Sequence, residues 1–236
     1  LFVRKSKNYI LFISIICILF CSFFIGERSN FIKSFLSIII FTLLVVKTDY
    51  KIKISGILIL LTVMITLINF NQSYKSRYFY QIKTLFSING YSKFIKQSQY
   101  GAHRNAAMKI FRENLIFGVG IKNFRYEVGK KKYENTEYLQ TDKRQATHPH
   151  QIHHEFLSEM GIFGYLSCMI FLLSSIYIGI KRYFLSRNIF QLSGIIFVAI
   201  SLLPLLPSGS FLSTYTSGIF WLNFALMISY TKKIKS

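Results

Sequence analysis

The run Ile54–Phe70, ISGILILLTVMITLINF, gives way at Asn71 to a polar segment that continues to Ser158 before apolar character returns. That boundary decides the fold. The run carries no charge and is long enough to cross a bilayer, for which about 17 residues is the lower limit. Comparable runs occupy 9–25 and 31–46 before it, and 159–180, 189–206 and 218–230 after it. The pattern predicts an all-α polytopic integral membrane protein. It has about six transmembrane helices and one long loop, 71–158, containing short amphipathic helices.

Composition supports this reading, because 52% hydrophobic residues gathered into long uncharged runs exclude an ordinary water-soluble globule. Lys and Arg number 29 against 9 acids, and their placement sets the orientation. Arg4, Lys5 and Lys7 flank the first run, and Lys47, Lys51 and Lys53 follow the second. Lys181, Arg182 and Arg187 follow the fourth, and Lys232, Lys233 and Lys235 follow the last. With six spans these four basic connections share one side, the cytoplasm. The turn at Glu27-Arg28, the uncharged stretch from Pro207 to Ser217 and the long loop then lie outside. The loop holds 15 Lys and Arg and 6 acids, but segments of that length translocate largely regardless of charge. Membrane lipid is the expected surrounding, and nucleic acid is not a partner on this face.

Cys17, Cys21 and Cys168 all lie in apolar runs, so no disulfide framework is expected. No small-residue cleavage site follows the first run, which argues against a signal peptide. The chain opens at Leu1 with a basic flank already in place. It is read as one membrane domain, 1–236, forming the C-terminal part of a longer protein.

Within the loop, 71–100 alternates aromatic and basic residues, as in Tyr74-Lys75-Ser76-Arg77-Tyr78, the pattern of an interfacial belt or of sugar stacking. Next, Ala107, Ile110, Phe111 and Leu115 mark a helical apolar face, with Arg104 positioned to turn inward. Gly118-Val119-Gly120 permits a positive-φ turn or a close backbone approach. It lacks the strand and the third glycine of a nucleotide fingerprint. The polar stretch 130–144 reads as a mobile excursion or lid. Arg28, at an exterior helix end, is either an interfacial anchor or an anion contact.

Four of the five histidines fall in His148-Pro149-His150-Gln151-Ile152-His153-His154-Glu155. Metal binding, interfacial hydrogen bonding and acid/base work are the readings open to them. A zincin pattern would need a histidine where Ser158 stands, so no metal is expected. Pro149 suits the first turn of a helix, which would set His150, His153, His154 and Leu157 on one face. A helix N-terminus disfavours imidazolium, leaving His150 neutral and able to accept a proton from a hydroxyl.

Three pieces in order resemble the C-terminal region of the O-antigen ligase and O-antigen polymerase family. They are Gly26-Glu27-Arg28-Ser29 after a span, Arg104 with Glu113-Asn114-Leu115-Ile116-Phe117-Gly118-Val119-Gly120-Ile121-Lys122-Asn123-Phe124, and His148-Pro149-His150-Gln151 with Gly161 beyond. The resemblance covers nearly the whole chain and implies further N-terminal spans. It also implies metal-independent, cofactor-free transfer of a glycan from undecaprenyl diphosphate to an acceptor glycan or lipid A core, at the outer face of the bacterial inner membrane. Carried onto matching positions, Arg28 and Arg104 hold the donor diphosphate and His150 is the base. Gln151, where the family often has Asn, and the extra His153 and His154 are possible supporting residues. Gly164 stands where ligases commonly have Thr. A polymerase would differ only in its acceptor, and a flippase-like export protein is the alternative from another class.

Overall fold

The computed structural model describes residues 5–25, 28–45, 49–79, 83, 87–204 and 206–229. Every regular element among the described residues is helical. The chain divides into two compact units, Leu1–Phe86 and Ser87–Ser236.

The first unit holds α1 (Lys5–Ile25), α2 (Arg28–Val45) and α3 (Tyr50–Phe70), one for each of the first three apolar runs. Asp49 starts α3 by accepting the Lys51 N–H, satisfying a donor that the first turn leaves unpaired. Asn71 closes α3 and caps the following short turn, Gln72–Tyr74. Their core is Leu19, Phe23, Phe31, Met64 and Tyr78. A π-helical turn, Lys75–Phe79, brings Tyr78 flat against Phe23, with ring centroids 4.9 Å apart. The Tyr78 hydroxyl donates to the Phe23 carbonyl at 3.3 Å, so this member of the aromatic-basic stretch anchors the chain's own helices.

The second unit contains α4 (Gly90–Gln97), α5 (Gln99–Glu113), a short α6 (Phe124–Glu127), α7 (Ile152–Ser186), α8 (Ile189–Ser201) and α9 (Thr214–Ile228). Ile152, Phe156, Leu172, Ile195, Val198, Leu202, Phe220, Phe224 and Met227 form the core where α7, α8 and α9 meet. α5 packs against α7. A smaller core of Ala106, Ala107, Ile110, Phe124, Val128 and Tyr133 ties the loop to α5. The segment expected to be a mobile excursion is therefore folded back in part. Tyr133 is fully buried, and its hydroxyl donates to Glu113 at 2.9 Å.

α7 begins before the expected 159, and α8 stops before the expected 206. Pro204 explains the second difference, since the residue preceding proline is pushed out of helical conformation. By length and composition, Tyr50–Phe70 and Ile152–Ser186 are able to cross a membrane. Ile13–Ile25, Ser29–Val45 and Ile189–Ser201 are shorter apolar helices. Beyond Gly161, α7 exposes Phe163, Leu166, Ile170, Leu173 and Tyr177, an outward apolar surface suited to lipid.

Candidate functional site

α7 is not one continuous helix. Gly161 at φ 66°, ψ −169° splits it, and the segment 115–120 docks in the break. Ile162 N–H donates to the Leu115 carbonyl at 2.8 Å, Val119 N–H to Ser158 at 3.0 Å, and Gly120 N–H to Glu159 at 2.9 Å. The buried Glu159 carboxylate accepts the backbone N–H groups of Lys122, at 2.6 Å, and Phe124. Gly118 and Gly120 have φ of +66° and +93°, so the positive-φ turn expected of them is present. This docking fixes the segment that follows α5 onto the start of α7.

His150 does not lie in the first turn of α7. The helix starts at Ile152, because the Gln151 side chain accepts the His154 N–H at 2.9 Å and serves as N-cap. His150 precedes it in a left-handed conformation, φ 54°, incompatible with a right-handed helix. The expected common face of His150, His153, His154 and Leu157 therefore does not form. Glutamine is an uncommon N-cap, and proline at a first turn was the stronger local signal.

The left-handed turn instead carries the His150 ring back over α5. It stacks on His103 with centroids 5.0 Å apart and planes 22° apart, and His148 lies 4.1 Å away on the tilt. Tyr100 meets His150 edge-on at 5.6 Å. His150 is half-buried, and neither ring nitrogen has a hydrogen-bond partner among the described residues. Burial lowers its pKa below the usual 6.5, so desolvation, rather than the helix N-terminus, keeps it neutral. His148 is pushed down to about 4, first by burial and then by the charge of a protonated His150. His103 is lowered by burial, opposed by its bond to the Lys143 carbonyl, with His150 adding to the lowering.

The next residue on α5 after His103 is Arg104, about 100° further round the helix axis. Its guanidinium donates to the Tyr91 hydroxyl at 3.2 Å and stands 6.0 Å from that ring's centroid. No carboxylate pairs with Arg104 among the described residues, so it is available to an external anion. His154 lies within electrostatic reach of Arg104 and has a buried Nδ1 without a partner among the described residues. His153 is engaged elsewhere, its Nε2 donating to the Leu202 carbonyl at 2.9 Å and its Nδ1 accepting from the Tyr165 hydroxyl at 3.1 Å. Arg28 opens α2, and its side chain lies outside the described residues. Among the described residues no three His, Cys, Asp or Glu side chains converge on a metal position. The His103 and His150 rings are stacked, and the His148 ring lies tilted against His150.

Two further groups hold the His150 turn. The Ser208 N–H donates to the His150 carbonyl at 2.8 Å. Glu155, 1% exposed, accepts the Phe211 N–H at 2.7 Å and the Ser210 hydroxyl. The uncharged stretch from Pro207 thus lies across the start of α7. Nothing in its composition announced this. Glu155→Ala is expected to destabilise the protein by on the order of 2 kcal/mol, the loss of charge-assisted bonds. Melting in detergent and faster amide exchange at 208–211 would show it; unchanged exchange there would contradict the role.

A family model described as O-antigen ligase matches residues 13–169. No curated protein and no solved structure matches the chain. The matched stretch contains Arg28, Arg104, the glycine turn and the His150 loop, and extends past the break at Gly161. The chain is a membrane protein that belongs to the O-antigen ligase family, whose members carry out glycan transfer of the ligase or polymerase type.

Proposed function

We propose that this protein transfers a glycan from undecaprenyl diphosphate to a sugar hydroxyl on an acceptor glycan or lipid A core. Transfer occurs at the outer face of the bacterial inner membrane, in a six-span topology with 71–158 outside. The family match supports the class of reaction. The observation that carries the assignment of the base is the half-buried, neutral His150, whose ring nitrogens have no partner among the described residues, stacked on the helix that also bears Arg104, which has no carboxylate partner among them.

His150 takes the proton of the acceptor hydroxyl as its oxygen attacks the anomeric carbon. The bond from that carbon to the diphosphate oxygen breaks, and lipid diphosphate leaves with the electron pair. The leaving group carries negative charge, which the Arg28 and Arg104 guanidiniums compensate through paired N–H bonds that an ammonium cannot reproduce. Tyr91 orients Arg104 for this task. Gln151 acts at one remove by starting the helix immediately after His150, and no step requires a metal.

Arg104→Lys keeps the charge but loses the planar fork, and is expected to raise the KM for donor about tenfold, the effect of roughly 1.4 kcal/mol. Arg104→Ala should be worse. Both are read by transfer kinetics with undecaprenyl-diphosphate-linked repeat units in liposomes. Wild-type kinetics for Arg104→Ala would remove Arg104 from the donor site. In cells lacking the native gene, loss of polymer on the lipid carrier indicates a polymerase, and accumulation of carrier-linked polymer indicates a ligase.

A further inference from the structure

His103 is the fifth histidine, separated by 45 residues from the cluster at His148, and the reaction as proposed does not use it. Its side chain is 1% exposed, on the face of α5 that also buries Ala106, Ala107 and Ile110. Its Nε2 lies 3.0 Å from the Lys143 carbonyl oxygen. A carbonyl only accepts, so Nε2 carries the proton and Nδ1 is a bare acceptor. That Nδ1 is buried without a partner among the described residues.

An orphaned buried acceptor is destabilising, and an apolar side chain would remove that cost. Packing alone therefore does not favour histidine here. The ring is clamped by the Lys143 bond and by the helix core, and its free face lies under His150 at an interplanar angle of 22°. His150 has the opposite character, with a strained left-handed backbone and, among the described residues, no hydrogen bond to fix its ring. Strain of this kind persists only where surrounding contacts hold it.

We propose that His103 is the positioning residue for His150, a rigid planar platform that sets the orientation of the base toward the acceptor hydroxyl. This rests on His150 being the base. Removing the platform frees the His150 ring to rotate, so fewer encounters present a nitrogen to the hydroxyl. Donor binding by Arg104 is left intact. Misorientation of a catalytic group by small distances is expensive, so the effect falls on kcat.

The test uses the full chain in liposomes with undecaprenyl-diphosphate-linked repeat units and compares His103→Ala, His103→Phe and His150→Asn. His103→Ala is expected to lower kcat about 10- to 100-fold with the donor KM unchanged. His103→Phe restores a flat buried ring without the bond to Lys143 that clamps it, and should recover part of that loss. Full kcat in His103→Ala, a kcat loss accompanied by an equal rise in donor KM, or a His103→Phe no better than His103→Ala would each overturn the inference. An active His150→Asn would instead overturn the assignment of the base, and the platform with it. An inactive His150→Asn beside a fully active His103→Ala sinks the platform alone.

Discussion

His150→Asn is expected to lower glycan transfer by about 100- to 10,000-fold, the usual contribution of a positioned general base, while the protein stays folded. Asparagine is chosen because His150 occupies φ 54°, where asparagine is among the few non-glycine residues at ease. Alanine there would confuse loss of the base with strain in the turn. The His150 carbonyl, which accepts from Ser208, is retained in the variant. Near-normal membrane levels and melting temperature with abolished transfer are the expected pair of results. Substantial transfer by His150→Asn would refute the assignment of His150 as the base.

The pH dependence of the wild-type protein follows from the same ring. Only neutral imidazole accepts a proton, so the rate should be flat above the His150 pKa and fall below it. The midpoint should lie under 6.5, the ordinary value from which burial lowers it. The groups facing this ring are His103 and Tyr100 from α5 and His148 from its own turn, with Arg125 acting on His148. Stability moves in the same direction. His103, His148 and His150 all bind a proton less readily folded than unfolded. Their contribution is therefore complete above 6.5 and is lost as pH falls toward the His148 value of about 4. Melting curves at each pH separate the two effects, since the rate should decline before the folded fraction does. A rate midpoint above 6.5 would mean that His150 is not desolvated in the working enzyme.

The apolar runs were legible because their signal is local: a run of uncharged residues must be helical wherever it contacts lipid. α1, α2 and α3 follow their runs to within a few residues, whereas α7 extends beyond its run at both ends, α9 starts four residues early and α8 is cut short ahead of Pro204. The site was legible in its parts and not in its assembly. Arg104 and His150 were named, and the glycine turn was recognised as a place of close approach. The helix start was misplaced because Gln151 outcompeted Pro149, a choice made by one side-chain hydrogen bond. His103 had a signal that the apolar face had obscured. It precedes Ala106, Ala107 and Ile110 at the three-, four- and seven-residue spacing that puts a side chain on the buried face. Glu155 had none, since its partners Ser210 and Phe211 are 55 and 56 residues away and lie in an uncharged turn.

Gly161→Ala is expected to destabilise the protein strongly. At φ +66° the added Cβ would stand 2.3 Å from the Ile116 carbonyl oxygen and 2.6 Å from the Gly118 nitrogen. Both are backbone atoms and cannot swing away as a side chain would. Two effects combine: the φ and ψ there suit glycine almost alone, at about 1–3 kcal/mol for any other residue, and the clash forces the docked segment off α7. Displacement removes the bonds from Ile162 to Leu115, Val119 to Ser158 and Gly120 to Glu159, and leaves the buried Glu159 carboxylate without its two backbone donors. A total above about 3 kcal/mol follows, enough to lower the melting temperature by several degrees and to abolish transfer although Gly161 touches neither donor nor acceptor. Gly218→Ala is the control. A Cβ there meets nothing within 4 Å, and alanine favours the helix, so that variant should melt at or above the wild-type temperature. Equal melting of the two variants would show that the break in α7 is not held by the glycine turn. In that case the start of α7 would have to be fixed, and His150 held in place, by the Gln151 cap and the Ser208 and Glu155 contacts.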